Sequence, residues 1–432
     1  MLEIRCSCPS ALQDGRVKPG GLNPRYDTSS CAEWLVAVSV LTQEAETAFP
    51  EARLQRLREV REPGLKFTWE EVMTSLNRRS LLAGSAAAGV VALAGPRAAG
   101  AEDLPGVTAT ELRIGCTTSL SGPVSALGTI ARCSDAYFRM VNDQGGIGGR
   151  KIDFIFYDDA FNPAKTVEQT RKLIESDNVA FLFGMLGTSP NSAVVKYINA
   201  NKVPHLFLSV NGDKWGDTQT YPWTMGFAPS SRTEAQIFAK YALSQKPDAR
   251  FALLYQNDDL GKDFVNGLRD VLGARYDTLV KAVSYEVTDP TIDSQIVTLR
   301  TSNADVLISG VTAKFAAQAI RKVFELDWKP MHFVTSGAAS VASTIMPVGP
   351  ERAQGLITSV YIKDPSDPAW AEDAGVKDYL KFMAKYYGEG NPKEGLNDYG
   401  YTVTSVLRIL LEQCNGDFSR ESIMKQIGRA HV

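Results

Sequence analysis

A chain of 432 residues with 44% hydrophobic and 22% charged residues has the make-up of a folded protein of two or three domains. Its net charge of −3 gives no electrostatic footprint for nucleic acid or an anionic membrane surface. Three histidines, His205, His332 and His431, argue against a histidine-held metal or a Ser/His/Asp hydrolase, while leaving carboxylate or cysteine chemistry open.

Residues 1–72 lack strand–helix alternation and read as upstream-translated or non-native sequence. They hold Cys6, Cys8 and Cys31, without zinc-finger spacing. Residues 73–101 have the three parts of an export signal. Met73 starts it, Arg78-Arg79 precede an uncharged apolar run from Leu81 to Gly95, and Ala99-Gly100-Ala101 supplies small residues for cleavage. The paired arginines followed by Leu81-Leu82 resemble a twin-arginine signal.

From Glu102 the chain alternates. Leu112–Cys116 reads as a strand, Ser119–Pro123 as a loop and Thr129–Val141 as a helix. The glycines of Gly145–Gly149 follow a helix and precede the strand Lys151–Tyr157, the wrong order for a dinucleotide fingerprint, so they read as a turn. Asn162-Pro163 caps a helix to Ser176. Val179–Phe183 is a short buried strand, Gly184–Gly187 a loop, and Ser189-Pro190 reads as the cap and first position of the next helix. Pro204–Val210 is a strand ending at Asn211. This β-loop-α-β unit places polar groups at the carboxyl ends of parallel strands, where open sheets hold small molecules. The helix start offers free N–H groups and a positive dipole end to a carboxylate.

After an aromatic loop, Lys214–Thr224, a second series follows. Its expected strands are Phe251–Tyr255, Leu279–Tyr285, Val306–Ser309, His332–Thr335 and Leu356–Tyr361. Its expected helices are Asp263–Leu272, Asp293–Thr301, Ala313–Leu326, Lys377–Tyr387 and Tyr401–Cys414. Gln256–Gly261, with Asp258-Asp259, reads as a solvated loop. Cys116, Cys133 and Cys414 read as buried thiols, with one disulfide left open. Residues 427–432 read as an artefactual tail on a truncated helix. Two β-α-β series make two doubly wound α/β lobes.

Ser119–Pro123, Gly145–Arg150, Gly187-Thr188-Ser189-Pro190-Asn191, Lys214–Asp217, Pro222–Gly226, Gln256–Asp259 and Phe315–Lys322 stand in an order that resembles the type I periplasmic solute-binding proteins of the branched-chain amino acid (Leu/Ile/Val) ABC transporter family. The resemblance spans about residues 111–426. It implies two Rossmann-like lobes joined by three crossings: lobe one from 102–230 and 357–410, lobe two from 231–356 and 411–426. It implies a periplasmic, non-enzymatic protein that takes no cofactor or metal, closes on a small molecule and delivers it to permease subunits. No nucleic acid partner is implied.

By the same resemblance, Thr188 holds a ligand carboxylate, Ser209 offers a backbone carbonyl and Asn211 stands where relatives have a threonine hydroxyl. Leu127 and Leu260 occupy positions that are often aromatic. Thr312 and Tyr399 line the cleft, and Ser336 aligns with the acid that pairs the ligand ammonium in Leu/Ile/Val binders. No acid occurs between Val334 and Met346. A buried ammonium without a carboxylate is costly, so an aromatic or other apolar acid is favoured over a simple amino acid. The alternatives are a branched-chain amino acid or amide binder, in transport or as a ligand-sensing regulator. An α/β enzyme lacks a G-x-S-x-G elbow or P-loop here.

Overall fold

A computed structural model describes residues 3–6 and 104–430. The expected signal at 73–101, nearly all of the expected extension at 1–72, and residues 431–432 lie outside the described residues.

The first described stretch, Glu3–Cys6, is strand β1. Lobe one is built on five parallel strands: β2 (Glu111–Thr118), β3 (Lys151–Asp158), β4 (Phe181–Phe183), β5 (His205–Leu208) and β6 (Thr224–Gly226), in the order β3-β2-β4-β5-β6. Residues of β4 and β5 are buried throughout, as expected of central strands covered on both faces. Helices α1 (Thr129–Asp143), α2 (Pro163–Arg171) and α3 (Thr188–Ala200) connect them. The Asn162 side chain caps α2, accepting from the Ala164 and Lys165 N–H groups at 2.9 and 3.3 Å, with Pro163 first in the helix. The four glycines after α1 form the expected turn, closed by an Ile147–Arg150 bridge.

Lobe two follows α4 (Ser231–Gln245). Its strands are β7 (Phe251–Gln256), β8 (Val280–Tyr285), β9 (Val306–Gly310), β10 (Met331–Val334) and β11 (Ile357–Val360), in the order β11-β10-β9-β7-β8. Neighbours among these pair in parallel, and β1 adds an antiparallel edge on β11. Helices α5 (Asp259–Leu272), α6 (Asp293–Arg300) and α7 (Ala313–Glu325) flank this sheet. Helix α5 starts four residues before the expected Asp263, because Asp258 caps it by accepting the Gly261 N–H at 3.2 Å. Gly261 is required there, since a Cβ would lie 1.8 Å from the Gln256 carbonyl oxygen.

The chain then returns to lobe one as α8 (Ala374–Tyr386), α9 (Gly395–Gln413) and α10 (Arg420–Ala430). Helix α9 begins six residues before the expected Tyr401, capped by Glu394, whose side chain accepts from the Leu396 N–H at 3.4 Å.

Two boundaries move. Ile357–Val360 belongs to the lobe-two sheet, with Ile357 beside Phe333, so the return to lobe one begins near residue 361. Residues 411–426, expected in lobe two, pack in lobe one, where Leu411, Cys414, Phe418 and Ile423 join the core of Phe138, Phe181 and Leu407. The apolar stripe of α9 carries that core onward, and the Arg420 guanidinium donates to the Ala180 and Val179 carbonyls at 2.9 and 3.2 Å.

Cys116, Cys133 and Cys414 are free and buried. His205 and His332 are buried, and burial pushes each down to about 3, so both are neutral core residues. His332 Nε2 lies 2.9 Å from the Ser309 hydroxyl. Among the described residues no helix is long and apolar enough to cross a membrane.

Candidate functional site

The site is built at the carboxyl ends of β4 and β5. The loop after β4 and the end of β5 meet through a Leu186–Ser209 bridge. Gly187 sits at φ +89° as the residue before α3, and a Cβ there would lie 2.4 Å from the Phe161 ring. Helix α3 therefore starts at Thr188, one residue before the expected cap. Ser189 and Pro190 lie inside its first turn, and no side chain caps it. That leaves the first-turn N–H groups of α3 without helical partners. The Asn191 amide holds the loop, donating to the Met185 and Gly187 carbonyls at 3.1 and 2.7 Å. Phe161, itself at φ +59°, lays its ring on the backbone just before Thr188.

Thr188 is 2% exposed and its hydroxyl has no protein partner. The Trp215 indole N–H is likewise buried without a partner, while the buried Ser209 and Tyr399 hydroxyls face each other. A buried donor is costly unless a ligand or water satisfies it. Thr188 Cγ2 and Trp215 Nε1 flank Gly212, at 3.4 and 2.6 Å from where its Cβ would stand. Burial pushes the Tyr399 phenol upward and the adjacent Ser209 hydroxyl opposes that push. Tyr399 is fixed by an edge contact to Phe227, at 5.6 Å between centroids, and Phe227 by another to Phe207.

Ser209 thus stands between the backbone just before Thr188, where its carbonyl accepts from the Gly187 N–H at 3.5 Å, and the Tyr399 hydroxyl. The other expected positions are distributed differently. Asn211 braces the passage between lobes: its carbonyl accepts from the Ser231 N–H at 2.6 Å and its amide donates to the Pro229 carbonyl at 3.2 Å. Leu127 lies in a turn against the lobe-one core, and Leu260 in the first turn of α5 against the lobe-two core. Thr312 precedes α7, its N–H donating to the Tyr285 hydroxyl oxygen at 3.2 Å.

Ser336 carries the main surprise. Its N–H donates to Glu234 Oε1 at 2.8 Å, so a carboxylate does stand at that position, supplied by α4 rather than by the local sequence. Glu234 is 4% exposed and also accepts from the Thr335 and Ser359 hydroxyls, each at 2.5 Å. Sequence reading missed it because its partners are non-local.

Asp258-Asp259 is also not a solvated pair. Asp258 caps α5, and Asp259 reaches lobe one: Lys214 Nζ lies 2.6 Å from Asp259 Oδ2 and donates to Ser192 Oγ at 2.5 Å. Nearby, the Asp213 N–H donates to Asp263 Oδ2 at 2.7 Å. Burial, together with the charges of Asp213 and Asp259, pushes Asp263 up to about 6. These contacts latch the two lobes. Being half exposed, the ion pair contributes about 0.2–1 kcal/mol. Lys214→Ala is therefore expected to shift the closed–open balance toward open by up to about 5-fold. Small-angle scattering would show a larger mean radius, and unchanged scattering would mean the pair does not hold the lobes.

The sequence model of the periplasmic binding protein family matches residues 111–432. The chain is similar to Leu/Ile/Val-binding protein homolog 7 of Brucella abortus (strain 2308), with 22% identity over 317 residues, 71% of this chain and 78% of that protein. Its fold is similar to that of a fatty acid ABC transporter substrate-binding protein from Thermomonospora curvata, with TM-score 0.63, 22% identity, and 74% and 81% of the two chains covered. It is also similar to that of an ABC transporter solute-binding protein from Rhodopseudomonas palustris BisB5 in complex with 3,4-dihydroxybenzoic acid, with TM-score 0.61, 16% identity, and 72% and 84% covered.

Proposed function

The chain belongs to the periplasmic binding protein family, and from that premise we propose that it is the solute-binding subunit of an ABC importer whose ligand is a small apolar or aromatic carboxylate. Its export uses the twin-arginine-like signal, and its closed form docks on a permease pair. Closure stores the ligand's binding energy as preference for one lobe arrangement.

The observation that carries this reading is the buried, unpartnered Thr188 hydroxyl at the open first turn of α3. Trp215 adds a further free donor, the Ser209–Tyr399 hydroxyl pair stands at the end of β5, and the Phe161 ring beside Gly187 offers an apolar wall. Donors at a helix N-terminus suit an anion. The ligand classes in the names of the two structural neighbours, fatty acids and a dihydroxybenzoic acid, share a carboxylate.

Glu234 favours a second reading, an amino acid whose ammonium it pairs. Against it, three protein donors already occupy the Glu234 oxygens. A thermal-shift panel on the full chain separates the readings: benzoate, hexanoate, leucine and leucinamide. The proposal expects stabilisation by benzoate or hexanoate. Stabilisation by leucine alone, abolished in Glu234→Gln, would replace it with the amino acid reading. Stabilisation by leucinamide and by no acid would exclude a carboxylate site.

A further inference from the structure

A cavity of about 270 Å³ lies away from the Thr188 site, between the second passage (residues 361–373), α8 and α9. Its wall includes Tyr361, Tyr379, Tyr401 and Asp398. Asp398 is 8% exposed. Among the described residues nothing hydrogen-bonds or ion-pairs with its carboxylate. A buried carboxylate in that condition needs a proton or a cation.

The surroundings favour a cation. The titratable groups that act on Asp398, or on which it acts, are Asp364 from the passage, Tyr379 from α8, Tyr401 from its own helix and Cys133 from α1, none of them cationic. Lys363 also lines the cavity, but it is spent on Asp373, at 2.5 Å. Asp364, whose carboxylate accepts from the Ser366 N–H and hydroxyl at 2.8 and 2.7 Å, and Asp398 thus stand beside three tyrosine rings with no ion-pair partner among the described residues. Tyrosine faces attract organic cations through the ring quadrupole.

We infer that this cavity is a second binding site, for a small organic ammonium ion, with Asp398 as counter-charge and Tyr361, Tyr379 and Tyr401 as its aromatic wall. It shares no lining residue with the Thr188 site, and Tyr361, whose phenol lies within reach of the Tyr399 and Glu234 charges, stands between the two. Burial first, then the Asp364 charge, pushes Asp398 up to about 7. The bound cation replaces a proton, so affinity rises with pH as Asp398 ionises.

The test is calorimetric titration of the full chain with tetramethylammonium chloride, against sodium chloride at equal ionic strength. Saturable binding is expected, about 10-fold tighter at about pH 8 than at about pH 6. Asp398→Asn keeps the shape and removes the charge, and is expected to weaken binding at least about 10-fold at the higher pH. Tyr401→Leu should also weaken it, and Thr188→Ala should leave it unchanged. The inference is overturned by heats no different from sodium chloride, by equal affinity in Asp398→Asn, or by loss in Thr188→Ala, which would move the ammonium into the cleft. Should Asp398→Asn fail to fold, Tyr401→Leu and the pH dependence decide: both must weaken binding as stated, or the inference falls.

Discussion

Glu234→Ala is expected to destabilise the chain by about 2–4 kcal/mol, because removing one side of a buried charge-assisted network leaves its donors unsatisfied. The donors are the Thr335 and Ser359 hydroxyls and the Ser336 N–H, which come from the loop after β10 and from β11. Glu234 lies one turn into α4, straight after the passage from lobe one, so it ties the start of lobe two to the end of its sheet. At roughly 2–4 °C per kcal/mol for a chain of lobe size or larger, melting falls by several degrees. Glu234→Gln keeps the shape and should lose less. Melting of Glu234→Ala within a degree of the parent would show that this carboxylate is not structural, and would strengthen its candidacy as a ligand group.

Thr188→Ala should behave in the opposite manner. The Thr188 hydroxyl has no protein partner, so its removal costs the unliganded chain little stability and can raise it. Its loss is felt only with ligand. A hydrogen bond to a charged group contributes about 1.5–3 kcal/mol, so carboxylate affinity should fall about 10- to 150-fold. Thr188→Ser keeps the donor and should retain most of the affinity. Loss of folding stability in Thr188→Ala, with affinity preserved, would assign the hydroxyl to the scaffold.

Thr188 is legible in the sequence as a candidate because what marks it is local: a buried strand, a glycine-containing loop, a helix start with Pro190. The same locality explains the strand cores, which the apolar runs mark within one or two residues. What was not legible depends on distant partners. Glu234 stands 102 residues from Ser336 and 125 from Ser359. The Val334–Met346 segment itself carries no acid. Asp259 and Lys214 are 45 residues apart and on different lobes, so the acidic pair read as solvated. The helix starts at Asp259 and Gly395 were set by Asp258 and Glu394, carboxylate caps whose role is visible only once the N–H groups they accept are placed. Residues 411–426 were assigned to lobe two by the family resemblance; their packing in the lobe-one core and the Arg420 bonds to the Ala180 and Val179 carbonyls place them in lobe one.

The proposed function stands or falls with a carboxylate held at the first turn of α3. Calorimetric titration of the full chain with benzoate and with benzamide, the same ring without the charge, tests it most directly, with Thr188→Ala run alongside. Saturable benzoate binding is expected, with at least about 10-fold weaker benzamide binding and a Thr188→Ala chain that no longer distinguishes the two. Benzamide binding as tightly as benzoate, or a preference for benzoate untouched by Thr188→Ala, would contradict it.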